Sequence, residues 1–162
     1  MTHARYGRAM TAEMRLAELG IELPVPKSPA GAYVPAVRTG DLVFLSGAGP
    51  AAADGSLVTG KVGRDLDVDE ARAAARLVGL QLLAALRAEV GDLDNVVRVV
   101  KVLGMVNCAP GFNRTPPVID GCSELFIDVF GEAGRGARSA VGMGELPFDI
   151  AVEIEAIFEV AS

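Results

Sequence analysis

"ARSAVGMGELPFDIAVEIEAIFEV", residues 137–160, is the stretch on which the fold of this chain turns. Its second half alternates strictly. Val152, Ile154, Ala156, Phe158 and Val160 fall on one side of an extended segment, and Glu153, Glu155 and Glu159 on the other, because successive side chains of a strand point to opposite faces. Its first half, "ARSAVGMG" (137–144), sets Arg138 among small and branched residues and also reads as a strand. "ELPFD" (145–149) separates the two, and two strands with so short a link are expected to pair. If Ala140 stands opposite Glu153 in an antiparallel pair, Arg138, Ala140, Glu153 and Glu155 share one face. A slip of one residue sends Arg138 to the other side.

That parity matters for chemistry. A guanidinium holds a carboxylate through two parallel hydrogen bonds and so fixes a small acid in one orientation. A neighbouring carboxyl group can then take a proton from water, or give one up. The same residues also permit a surface pair of Arg138 with Glu155, which contributes at most about 1 kcal/mol.

Working outward, "DVDEARAAARLVGLQLLAALRAEVGDL" (67–93) predicts a long helix. Asp67 and Glu70 have capping-box spacing, Ala71, Ala75, Val78, Leu82 and Leu86 form an apolar stripe, and Gly91 ends it. "NVVRVVKVLGMVN" (95–107) is a β-branched run suited to a central strand, and "VIDGCSELFIDVFG" (118–131) predicts a second helix. "AYVPAVRTG" and "DLVFLSGAG" (32–49) read as a hairpin, with a further short strand around Leu57–Thr59. "TAEMRLAELG" (11–20) predicts a short helix capped by Thr11, and the prolines of "ELPVPKSPAG" (22–31) make an extended connector. Residues 1–9 carry no pattern. The chain therefore divides into a tail, helix and connector over 1–30 and one α/β (α+β) domain over 31–162. Its element order, ββ(β)αβαββ, suggests a mixed sheet with two main helices on one face. The other face would be apolar, bare and in need of a partner copy.

Composition narrows the function. The chain has 162 residues, a net charge of -6 and a single histidine, His3. An acidic chain lacks the basic face that nucleic-acid binding needs. One histidine removes most zinc sites and His-based triads. Cys108 and Cys122 have no metal-ligand spacing and read as free thiols of a reducing compartment. No apolar run is long enough to span a bilayer, and the N-terminus lacks a secretory core, so a cytoplasmic location is expected. Ser46, Ser123 and Ser139 have no histidine partner and read as structural.

The 137–160 stretch, with its Arg-Ser strand, Leu-Pro turn and V-E-I-E-A closing strand, resembles the C-terminal signature of the RidA family, also called YjgF or L-PSP proteins. "GAYVPAVRTGDLVFLSGAGP" (31–50) resembles the family's N-terminal hairpin. The resemblance runs from about Gly31 to Val160. It implies a chorismate-mutase-like fold assembled as a homotrimer with clefts between subunits. It also implies cofactor-independent hydrolysis of small enamine or imine carboxylates to 2-keto acids and ammonia. By motif, Arg138 would bind the substrate carboxylate and Glu153 would position or activate water, making these two the catalytic pair. Tyr33, Gly47 and Ala140 would line the pocket. Asp120 stands near a site-facing position where the family often has Asn, and Ala140 where it often has Cys. A non-catalytic trimer that binds a small carboxylate is the alternative reading; a ribonuclease ranks last.

Overall fold

The computed structural model describes residues 9–162. His3 and nearly all of the patternless N-terminal tail lie outside the described residues. The elements are α1 (Ala12–Glu18), β1 (Ala36–Thr39), β2 (Leu42–Ala48), α2 (Val68–Val90), β3 (Val96–Asn107), α3 (Thr115–Phe130), β4 (Ala137–Met143) and β5 (Val152–Val160).

Helix ends follow the capping chemistry in the sequence. The Asp67 carboxylate accepts from Glu70 N–H at 2.8 Å and the Glu70 carboxylate from Asp67 N–H at 2.9 Å, so both ends of the capping box are satisfied. Gly91 closes α2 at φ 81°. α3 starts at Thr115, earlier than expected, because Pro116 and Pro117 fit its first turn, where a helix needs no N–H. The region around Leu57–Thr59 forms no strand. It makes only the isolated bridges Ala51 to Leu57 and Thr59 to Ile150.

The five strands lie in the order β1-β2-β5-β3-β4. All neighbours are antiparallel except β3 and β4, which run parallel. This corrects the expected hairpin of β4 with β5. β3-α3-β4 is a strand–helix–strand unit, and such a crossover delivers parallel neighbours. β5 then inserts between β2 and β3, where both of its edges are bonded.

α2 and α3 cover one face of the sheet. Val152, Ile154, Ala156, Phe158 and Val160 all point there and are at most 3 % exposed. Phe158 meets Phe126 edge to face, ring centres 5.4 Å apart. The apolar side of β5 is therefore covered by helices, which corrects the expectation of an apolar bare face. The bare side is mixed: Glu153 and Glu155 share it with Leu103 and Met105 of β3, which stand directly opposite them, and with the exposed Phe44 and Val37.

Candidate functional site

The expected site residues fall into two groups. Tyr33, Gly47 and Glu153 line one cleft of about 620 Å³, together with Ser46, Leu57 and Phe148. The strand register between β2 and β5 shifts between Leu45 and Ala48. That irregularity lays the Gly47 backbone directly over Glu153. A Cβ at Gly47 would overlap Glu153 Oε1, with Cδ only 3.1 Å away, so glycine is required for this approach. The Ser46 hydroxyl donates to Val34 C=O at 2.6 Å. The Tyr33 hydroxyl accepts from Ala30 N–H at 3.3 Å, which curls the connector over the rim.

Glu153 is part-buried and makes no salt bridge among the described residues. Burial raises its carboxyl pKa above the ordinary value, and the nearby Glu155 adds to this. Loss of water disfavours the charged form, and a like charge does the same. The result is a carboxyl group suited to exchanging a proton with a bound water.

Arg138, Ala140 and Asp120 form the second group, at the far edge of the sheet. Arg138 stands beside Val102 of β3, which stands beside Ala156 of β5. Ala156 and Glu153 are an odd number of residues apart, so Arg138 faces the helices while Glu153 faces the bare side. The expectation that both share one face within a single chain is corrected. Because β4 joins β3 and not β5, the register that would have aligned them does not exist. Arg138 Nη1 donates to Asp120 Oδ1 at 2.6 Å and to Ser123 Oγ at 3.2 Å. The Ala140 carbonyl accepts from Thr115 Oγ1 at 2.9 Å.

Sequence reasoning missed three features. Ser123 is a partner of Arg138. Phe148 projects at the cleft rim, 76 % exposed, from a turn in which Phe148 and Asp149 both have positive φ, 57° and 56°. Such backbone is strained for residues with a Cβ. Asn107 Nδ2 donates to Asp149 Oδ1 at 2.9 Å and pins that turn from below. Nothing in the alternation of 137–160 signals a left-handed pair. Cys108 and Cys122 are free, as expected, and burial raises both thiols. Among the described residues, no group of three or more His, Cys, Asp or Glu is placed to hold a metal ion. No described helix is long and apolar enough to cross a membrane.

Comparison with known proteins accords with this architecture. A family model described as "YjgF/chorismate mutase-like, putative endoribonuclease" matches residues 13–155. Protein TCP17 of Trypanosoma cruzi is 45% identical over 89% of this chain and 91% of its own length. A 2-iminobutanoate/2-iminopropanoate deaminase of Dermatophagoides farinae is 33% identical over 85% of this chain and 92% of its own. Among solved structures, the protein Atu1372 of unknown function from Agrobacterium tumefaciens superposes with a TM-score of 0.84, at 44% identity, covering 94% of this chain and 93% of that one. The chain belongs to the YjgF family, the family its closing strands resemble.

Proposed function

We propose that the protein hydrolyses small 2-imino (or enamine) carboxylates to 2-keto acids and ammonia, without metal or organic cofactor, in clefts between the subunits of a homotrimer. The observation that carries this reading is Glu153, part-buried under Gly47 with its proton affinity raised. The deaminase name of the Dermatophagoides relative supports the same chemistry.

In this reaction the water oxygen bonds to C2 of the imine while Glu153 takes a proton from that water. Glu153 returns that proton to the nitrogen, giving a neutral 2-amino-2-hydroxy adduct, and then takes the hydroxyl proton and passes it to the same nitrogen, which leaves as ammonia. The C2–N bond breaks, C2=O forms, and no electrons leave the system. Arg138 holds the C1 group of the substrate, and Tyr33 borders the cleft. Since Arg138 and Glu153 lie on opposite faces and two strands apart, about 10 Å in spacing alone, they meet on one ligand only across a subunit boundary. β4 is an edge strand, so its Arg138 lies where a neighbouring copy can reach it. The bare sheet face supplies the surface for that neighbour.

The test is ammonia release from freshly generated 2-iminopropanoate, wild type against Glu153→Gln. Loss of the proton-transfer group should lower the rate by about 100-fold or more. A wild type that releases no ammonia above the uncatalysed rate, or a variant as fast as wild type, overturns the catalytic reading. In the first case the non-catalytic carboxylate-binding trimer is favoured.

A further inference from the structure

Arg138 is already engaged. Its Nη1 donates to Asp120 Oδ1 at 2.6 Å and to Ser123 Oγ at 3.2 Å. The open space beside it, about 350 Å³ between β4 and α3, has Glu124 and Arg135 at its margin. Both have other partners: Glu124 pairs with Arg72, and Arg135 with Glu132. Among the described residues the guanidinium therefore meets one contacting negative charge, and the pair is electrically balanced before any ligand arrives.

Two of the arginine's donor groups, Nε and Nη2, have no partner among the described hydrogen bonds. A carboxylate reaching that edge would form good hydrogen bonds, but it would also bring a second negative charge within a few ångströms of Asp120. Like charges at such separations oppose one another, and the attraction of the cation is already spread over two anions. A neutral carbonyl accepts the same hydrogen bonds without that repulsion.

We propose that Asp120 is a specificity-determining residue. It converts Arg138 from an anion receptor into a hydrogen-bond donor, so the site takes 2-imino and 2-keto compounds with a neutral C1 group, a primary amide above all, at least as readily as the free acids. This rests on the reading of Arg138 as a ligand contact given above. For an imino amide the bonds made and broken are those at C2 already described, and the C1 amide is untouched.

The experiment measures calorimetric binding of 2-oxobutanoate and 2-oxobutanamide to the full chain. Wild type is compared with Asp120→Asn, which keeps the shape and a hydrogen-bond acceptor but removes the charge. Wild type should bind the amide as tightly as the acid or more so. Asp120→Asn should bind the acid about tenfold more tightly than wild type does, with the amide changed by less than about threefold. Its affinity for the acid should also fall more steeply with added salt. Asp120→Ser serves as the second variant, with thermal unfolding confirming that each is folded. Unchanged or weakened acid binding in both variants overturns the proposal, as does a wild type that prefers the acid by tenfold.

The two readings can fail separately. If wild type hydrolyses the imine through Glu153 and charge preference ignores Asp120, this proposal alone falls. If the variants reverse the charge preference but no imine is hydrolysed, it stands and the catalytic reading falls.

Discussion

Glu153 lies beneath the backbone of Gly47 so closely that one added methyl group would overlap its Oε1. The obstructing atoms belong to the free end of a flexible side chain, so the fold can yield by moving the carboxylate. Gly47→Ala should therefore cost little stability, about 1 kcal/mol or less, and lower kcat/KM by about tenfold or more through a displaced carboxyl group. Urea unfolding and steady-state kinetics on the same sample check this. A fully active Gly47→Ala would show that Glu153 does not act where the structure places it.

Burial, and then Glu155, raises the Glu153 carboxyl above its ordinary value of 4.5. The folded state thus binds this proton more tightly than the unfolded state. Stability from this group falls as pH rises from the unfolded value through the folded one, and stays lower above both. Glu153→Gln should melt higher than wild type at pH 8, with the difference shrinking toward pH 4. As a base, Glu153 works only when deprotonated, so the acid limb of kcat/KM should lie above 4.5. A variant that melts lower at pH 8 than wild type, and higher only in acid, reverses the predicted sign.

α2 and α3 approach where Gly121 leaves no side chain, and a Cβ there would overlap the Arg72 carbonyl. Here the obstacle is backbone, which cannot swing aside. Gly121→Ala should destabilise the protein by about 1–3 kcal/mol, read from the shift of the urea midpoint at unchanged slope. No shift would mean that the helices can separate at negligible cost.

The N-terminal helix α1 is part of the body of the protein. Leu16 is 3 % exposed and belongs to the core. The Glu13 carboxylate accepts from Leu93 N–H at 3.1 Å and pairs with Arg87 at 3.4 Å. Leu16→Ala should cost about 2–4 kcal/mol, and removal of residues 1–23 should lower the melting temperature, whereas removal of 1–9 alone should leave it unchanged. An unchanged melting temperature after removing 1–23 would show that α1 contributes nothing.

Much of this was legible in the residues. Asp67, Glu70 and Gly91 gave the limits of α2, because capping is local chemistry. The alternation of Val152 to Val160 gave the two faces of β5, because strand parity is local too. Strand pairing is not local, and there the reading of the sequence failed. β4 and β5 are close in the chain, which suggested a hairpin, yet β3-α3-β4 carried the stronger signal of a crossover to a parallel neighbour. That one pairing moved Arg138 to the opposite face from Glu153. The Arg138–Asp120 pair was equally hidden, since it joins a strand to a helix.

The central claim is that one site is built from two chains, Arg138 from one and Glu153 from its neighbour. Co-expression of Arg138→Ala and Glu153→Gln chains tests it most directly. Each variant alone should be inactive. In mixed assemblies about one site in four would join an intact Arg138 to an intact Glu153, so imine hydrolysis should return to roughly a quarter of the wild-type rate. Mixed assemblies as inactive as either parent would contradict the account, because a site contained within one chain cannot be restored by a neighbour.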